Sequence, residues 1–327
     1  MTGATDGLRD KLRAVCQKAR SDALRRADVD SPILYHYTCP VGLVGILSQG
    51  RIRATGIRYF EDKSELLYAE RVYREVLDEI IGERPSSLQS RLAEACRIEP
   101  YPAPGRAGPL SRGSGKRATW LNKVLDMYVA CFSTCNDSLS QWRKYACGGS
   151  GFAIGFDRRE LEKAIQPPKD EAGFAAAASV NLVEVRYSVE AQKRELREIF
   201  DQCCSLISAT SPPADICLCA DQIVNCLALH AALFKDPVFA PEKEWRIIIE
   251  ALPGRADLRF RSSADKVIPY IETAEQDTGR LPLASIAIGA AMDHEASRGG
   301  VRALLDTKGY GRVEILEAKL LLSGSPR

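Results

Sequence analysis

The stretch that constrains this chain most is Ile33-Leu34-Tyr35-His36-Tyr37-Thr38, with the run VGLVGILSQG directly behind it. The first six residues are rich in β-branched and aromatic side chains, the composition of a short buried strand. Pro40 has no N–H to give to a ladder and ends that strand. From Leu43 to Leu47 the apolar residues recur at helical spacing, and Gly50 is placed to close the helix as a C-cap. A strand that presents a histidine and a threonine at its end, beside a short helix, is a usual place for a ligand-binding group. His36 is one of only three histidines in the chain. A core histidine bonded to a backbone carbonyl fits the same pattern, and the local sequence leaves both open.

A chain of 327 residues has ample length for a buried core. Its net charge of +2 gives no general push toward nucleic acid. The eleven cysteines are odd in number and scattered, several of them in apolar runs. That usage suits reduced, buried thiols better than a disulfide framework. The N-terminus is polar and lacks an apolar signal-peptide core, and no stretch approaches the unbroken apolar length of a membrane span. The expectation is a cytoplasmic protein with no membrane partner.

Residues 7–27 place Leu8, Leu12, Val15 and Ala19 on one helical face, which predicts an amphipathic helix (1–30) packed outside a single domain over 31–327. A second strand is expected at 52–59. Asp62-Lys63-Ser64-Glu65 has capping-box spacing ahead of a helix over 66–81. Prolines break 83–118, apart from a short helix at 88–96. The tail of that segment, 106–117, holds Arg106, Arg112, Lys116 and Arg117 among Gly, Ser and Pro. It reads as a basic loop that either contacts a phosphate-bearing partner or is a solvated insertion.

Strands are expected at 127–133, 152–156, 180–187, 242–250, 284–289 and 313–321. Asn136-Asp137-Ser138 caps a short helix over 139–146, and helices are read at 158–166, across most of 190–234 and at 294–307. Residues 167–179 read as a Pro/Ala-rich connection and 235–241 as a loop. Cys217, Cys219, Cys226 and His230 are close in sequence, but they fall inside a helical apolar run and lack the paired spacing of a structural zinc site. No metal is expected. Gly-x-Ser-x-Gly, P-loop and Gly-x-Gly-x-x-Gly motifs are absent, which leaves serine-hydrolase and common nucleotide-binding chemistry without support.

The informative set is spread out: His36 on the first strand, Tyr145 on a short helix between two strands, and Glu244 opening a later strand. In that order they resemble the ADP-ribosyltransferase superfamily of diphtheria-toxin and poly(ADP-ribose)-polymerase type. LYHYTCPVGLVGILSQGRI is similar to its histidine-bearing strand and following helix. YVACFSTCNDSLSQWRKYA is similar to its second motif, with Ser140 and Tyr145 at the matching places. Pro241-Glu242-Lys243-Glu244-Trp245-Arg246 is similar to the strand that opens on the catalytic glutamate. The wider pattern also resembles a bacterial family of unassigned function. The resemblance covers about 33–250, with a β-α-β extension at about 281–322.

That resemblance implies an α+β fold: a split, mostly antiparallel sheet flanked by helices, with NAD in the cleft between its halves. It implies mono-ADP-ribosyl transfer to a protein or nucleic-acid acceptor, in the manner of a bacterial toxin or antiviral effector. NAD glycohydrolysis and a catalytically silent nucleotide- or nucleic-acid-binding module are the alternatives. Cleavage of the nicotinamide bond leaves positive charge on the ribose, and a hydrogen bond to the neighbouring hydroxyl strengthens as that charge grows. Glu244 is the expected partner of that hydroxyl, Tyr145 the aromatic face under the nicotinamide. His36 would bond the adenosine ribose with Thr38 supporting it. The backbone of Tyr37 and the hydroxyl of Ser140 would hold the carboxamide, and Glu242 would steer or deprotonate the acceptor.

Three residue-level alternatives stay open. Tyr145 also fits a core aromatic, Glu244 also fits a partner for Arg246 or Lys243, and Ser133-Thr134 also fits the central motif. Tyr37 stands where many relatives carry glycine, and Glu-x-Glu beside a histidine mixes two branches, so the acceptor stays open as well.

Overall fold

The computed structural model describes residues 2–24, 31–60, 64–97, 127–165, 177–227, 229–252, 258–263, 266–273 and 280–319. They form an α+β protein whose contacts gather into two compact units. One comprises Met1–Arg25, Ile57–Met127 and Arg186–Val238; the other comprises Arg26–Gly56, Tyr128–Val185 and Phe239–Arg327. This grouping departs from the expected split into an N-terminal helix and one domain over 31–327. Residues Asp62 and 106–117 lie outside the described residues.

The first unit is helical: α1 (Thr2–Ala23), with α3 (Ser64–Glu83) and α4 (Leu88–Cys96) in its middle segment. Its last segment supplies α7 (Val189–Cys204), α8 (Pro213–Leu227) and α9 (His230–Leu233). Here α1 is not peripheral. It packs on α7 and α8, and Leu12 is fully buried. Glu65, read as half of a capping box, forms a buried ion pair with Lys235 at 3.0 Å. Pro213–Leu233 does have the length and apolar character of a membrane span, against expectation, but 65% of its most apolar window is buried inside the protein. Burial by α1, α4 and α7 accounts for that composition.

The second unit holds the strands of the described residues: β1 (Ile33–Thr38), β2 (Arg53–Gly56), β3 (Met127–Ser133), β4 (Phe152–Asp157), β5 (Ala177–Glu184), β6 (Glu244–Ala251), β7 (Arg259–Ser263), β8 (Lys266–Glu272), β9 (Leu283–Ile288) and β10 (Glu314–Glu317). The sheet runs β10-β9-β4-β1-β3-β2-β8-β7, and β6 branches off by pairing with both β3 and β5. β10 and β9 are parallel; β1, β2, β4, β5, β7 and β8 pair antiparallel. Around it lie α2 (Pro40–Gln49), α5 (Leu139–Tyr145), α6 (Arg158–Ala164) and α10 (His294–Thr307).

Local chemistry explains the entry into this unit. Cys39 caps α2, its sulfur accepting from the Gly42 N–H at 3.4 Å, and Pro40 occupies the first turn where no N–H is needed. Gly50, at φ 65°, closes the helix with its N–H on the Ile46 carbonyl at 2.9 Å. The strand pleat then sorts the side chains. Leu34, Ile154, Ile286, Ile247 and Ile249 share one large core, whereas Tyr35, Tyr37, Ala153 and Ala287 join Trp142 of α5 in a smaller one. Since successive strand residues point to opposite faces, these two clusters mark the two faces of the sheet.

Candidate functional site

The sheet is nearly severed between β1 and β3. Their register is one residue pair, Tyr35 with Ser133, whereas β1 pairs with β4 along all six of its residues. In an unbroken antiparallel ladder the next residues would place 37 opposite 131. Instead, the His36 imidazole reaches across and bonds the Cys131 carbonyl through Nδ1 at 2.8 Å. Burial holds its pKa below the ordinary histidine value, opposed in part by that bond. A neutral ring donating from Nδ1 leaves Nε2 as an acceptor. The geometry is therefore that of the carbonyl-bonded histidine, placed where the two halves of the sheet part.

Tyr37 and Thr38 follow the pleat. The buried Tyr37 ring meets Trp142 edge-on, with centroids 4.9 Å apart. Its hydroxyl donates to the Cys135 carbonyl at 2.8 Å and accepts from the Ser138 N–H at 3.1 Å, which fixes the approach to α5. Burial pushes its phenol pKa upward. Thr38 lies on the His36 face, so close to α2 that a Cβ on Gly42 would lie 2.0 Å from its hydroxyl. On α5, Ser140 is exposed and shares a 3.0 Å hydrogen bond with Ser138. Trp142 donates to one Asp137 oxygen at 2.7 Å and the Lys319 N–H to the other at 2.9 Å, while Ser138 makes no side-chain cap.

Tyr145 is half-buried against the Tyr35–Tyr37–Trp142 cluster, on the side of the sheet opposite His36. Beside it, the Lys144 ammonium lies 5.1 Å from the Tyr145 ring centroid and 5.5 Å from that of Phe239. It also stands 3.8 Å from the Glu242 carboxylate. Glu242 ends a 3-10 turn, Pro237–Glu242, where a loop was expected. Its carbonyl accepts from the Ser133 hydroxyl at 2.7 Å, and the Thr134 N–H reaches the Lys243 carbonyl at 3.2 Å. Lys243 takes φ 45°, so the chain turns sharply before β6 begins. Ser133 and Thr134 are thus the braces of the β6 entrance.

Glu244 alternates with Trp245, Ile247 and Ile249 of the large core, and so faces the α5 side. It is not openly accessible: Arg246, fully buried, grips it with Nε on Oε1 at 2.7 Å and Nη2 on Oε2 at 3.0 Å. Pairing with Arg246, one of the two partners the sequence suggested, is what the side chain does.

The structure therefore brings Tyr145, Lys144, Glu242 and Glu244 to one side of the sheet, with Tyr37 and Ser133 as supports. It sends the His36 and Thr38 side chains to the other side. The sequence names Arg246 only as a possible partner of Glu244 and gives Lys144 no role. The signal for Arg246 was its place two residues after Glu244 on a strand, which puts both on one face.

Among the described residues, no group of three or more His, Cys, Asp or Glu is arranged to hold a metal ion. Neither the curated proteins nor the solved structures contain a match to the chain. A family described as a protein of unknown function, DUF2971, matches residues 141–247, from the middle of α5 into β6.

Proposed function

We propose that this protein cleaves the nicotinamide N-glycosidic bond of NAD and transfers the ADP-ribose to a macromolecular acceptor. One observation carries the reading: three segments remote in sequence are stitched together by side chains. The Tyr37 hydroxyl of β1 holds the approach to α5, the Ser133 hydroxyl of β3 holds Glu242, and Lys144 of α5 reaches the Glu242 carboxylate. These are the segments that carry the resemblance, and they meet beside the split in an antiparallel sheet.

In this reading Glu244 meets the ribose hydroxyl. The two-point grip of the Arg246 guanidinium fixes the plane of the Glu244 carboxylate. Nicotinamide leaves with the electron pair of the broken C–N bond, and Tyr145 supplies the aromatic face that holds the cationic ring before departure. Ser140 and the Tyr37 backbone bind the carboxamide. Glu242 takes the proton of the acceptor as it attacks the sugar carbon. His36 acts from behind, holding Cys131 and the parted strands in place; Thr38 supports it against α2.

The buried Arg246–Glu244 pair favours a second reading, a catalytically silent nucleotide-binding module. Incubation with NAD labelled on the adenine ring, with and without cell extract, separates the possibilities. Transfer of label to protein or nucleic acid, lost in Glu244→Gln and Tyr145→Ala, supports the transferase. Nicotinamide release that is unchanged by extract, with no labelled polymer, points to water as acceptor. NAD binding with no nicotinamide release from wild-type protein would overturn the enzymatic reading.

A further inference from the structure

We infer that Cys39 and Cys147 form a reversible disulfide, a redox-sensitive modification site placed where β1 and α5 end. Both belong to the sheet-bearing unit. Cys39 follows the last residue of β1 and caps α2, and Cys147 opens the 3-10 turn Cys147–Gly149 between α5 and β4. β1 and β4 are paired to their ends, with Thr38 opposite Phe152, and that pairing brings the two turns together.

Gly151 measures the approach. A Cβ there would lie 2.5 Å from the Thr38 carbonyl oxygen and 2.9 Å from that of Ala146, so both oxygens flank one point. Each oxygen shares its planar peptide unit with the cysteine that follows it. The backbone thus sets Cys39 and Cys147 side by side, and their thiols share a hydrogen bond. A disulfide needs neighbouring backbones with side chains turned toward each other, and sulfurs in contact meet that condition. Cys147 takes φ 50° and is followed by Gly148 and Gly149, which gives its turn the freedom to close the remaining gap.

Access sets this pair apart from the thiol contacts of the helical unit. There Cys16 contacts Cys203 and Cys226, but Cys203 is buried. Cys147 is exposed and Cys39 half-buried, so an oxidant reaches them in the folded protein. The oxidant the step needs is a hydroperoxide. One cysteine attacks a peroxide oxygen as its thiolate; the S–O bond forms as the O–O bond breaks, and the oxygen released leaves as water with the thiol's proton. The second thiolate attacks that sulfur, the S–S bond forms as the S–O bond breaks, and a second water leaves. Two thiols and one hydrogen peroxide thus give one disulfide and two waters. The crosslink ties the chain just past Tyr145 to the start of α2. What that does to nicotinamide release rests on the reading above; whether the bond forms does not.

The test exposes full-length protein briefly to hydrogen peroxide, blocks free thiols with N-ethylmaleimide and digests with trypsin in the absence of reductant. Cleavage after lysine and arginine leaves Cys39 alone in peptide 27–51 and Cys147 alone in peptide 145–158. The two peptides should appear joined, lighter than their sum by two hydrogen atoms, and a thiol reductant should separate them. Alkylation of Cys147 should fall at least ~10-fold on oxidation, with far less change at the exposed Cys217. Cys39→Ser keeps a favoured cap on α2 and removes the partner thiol, so the joined peptide and the protection of Cys147 should both disappear. Absence of the joined peptide from wild-type protein, protection of Cys147 that persists in Cys39→Ser, or crosslinking of Cys16 to Cys203 or Cys226 in its place overturns the inference.

Discussion

Replacing Glu244 by glutamine measures what the β6 carboxylate contributes to folding and to chemistry at once. The Arg246 side chain is 0% exposed and that of Glu244 4% exposed, and two hydrogen bonds of 2.7 and 3.0 Å join them. Glutamine keeps the shape but offers one acceptor oxygen, and its amide N–H₂ faces a guanidinium that can only donate. Breaking a buried pair by removing one partner costs about 3–5 kcal/mol, because the other charge stays in the interior. A domain with about 5–15 kcal/mol of total stability loses a large share of it. Urea unfolding followed by tryptophan fluorescence reads this change through Trp142 and Trp245, both in the sheet-bearing unit. Glu244→Leu with Arg246→Met should recover most of the loss, since an apolar pair of similar volume removes both charges together. At a temperature where Glu244→Gln is still folded, nicotinamide release should fall by about 100–1,000-fold. A stability loss under about 1 kcal/mol, the value of an exposed pair, would refute the account of the pair as buried and mutually dependent.

Other outcomes follow from burial and close approach. Burial, with Arg186 adding to it, lowers the pKa of His230 to about 4, while an unfolded histidine titrates near ~6.5. The unfolded chain therefore binds more protons between those values, and stability should fall by up to about 3 kcal/mol as pH drops from 7 toward 4. Glu195, whose carboxyl pKa is raised by burial, opposes the loss at the lower end. His230→Gln should flatten the slope, and an unchanged slope rules out His230 as its source. A Cβ on Gly289 would lie 2.1 Å from the Gly149 carbonyl oxygen, so Gly289→Ala should cost about 1–3 kcal/mol in the same unfolding assay. Wild-type stability in that variant would show that the approach is soft. Brief alkylation followed by peptide mass spectrometry should modify exposed Cys147 and Cys217 first. Cys203 and Cys219 should react only after unfolding; early modification of either contradicts the helical packing.

Much of the secondary structure was readable because its signals are local. The strand Ile33–Thr38 and the helices Leu88–Cys96 and His294–Thr307 have the bounds their patterns imply, since caps and apolar spacing lie within each segment. The β7–β8 hairpin was not read. Every described residue of β7 is exposed or carries a polar side chain, and Pro269 sits inside β8. Proline is tolerated there because the pairing of β8 with β2 stops at Tyr270, one residue short of it. Strand 52–59 was overextended: β2 ends at Gly56 and Ile57–Tyr59 turns into a 3-10 helix. Ala177–Ser179 reads as connection because alanine signals helix or coil, and its pairing with Glu250 and Ala251 is supplied by a distant strand. The candidate site was legible as residue types and not as directions. Whether His36 and Tyr145 share a face depends on which core each strand turns toward, and that is settled by register between segments about a hundred residues apart.

The place of β9 in the sheet sets the order in which the chain can assemble. β4 is complete once residue 157 is made, but the strand that covers its far edge comes only at Leu283–Ile288. During synthesis that edge, bearing Phe152, Ile154 and Phe156, must wait while the segments of the helical unit, ending at Val238, emerge and close upon themselves. Long-range pairing of this kind slows folding and leaves an apolar strand edge available to other chains in the interval. Nascent chains stalled before residue 283 should therefore be the aggregation-prone species, and release of the β9–α10–β10 segment the step that makes the protein safe to accumulate.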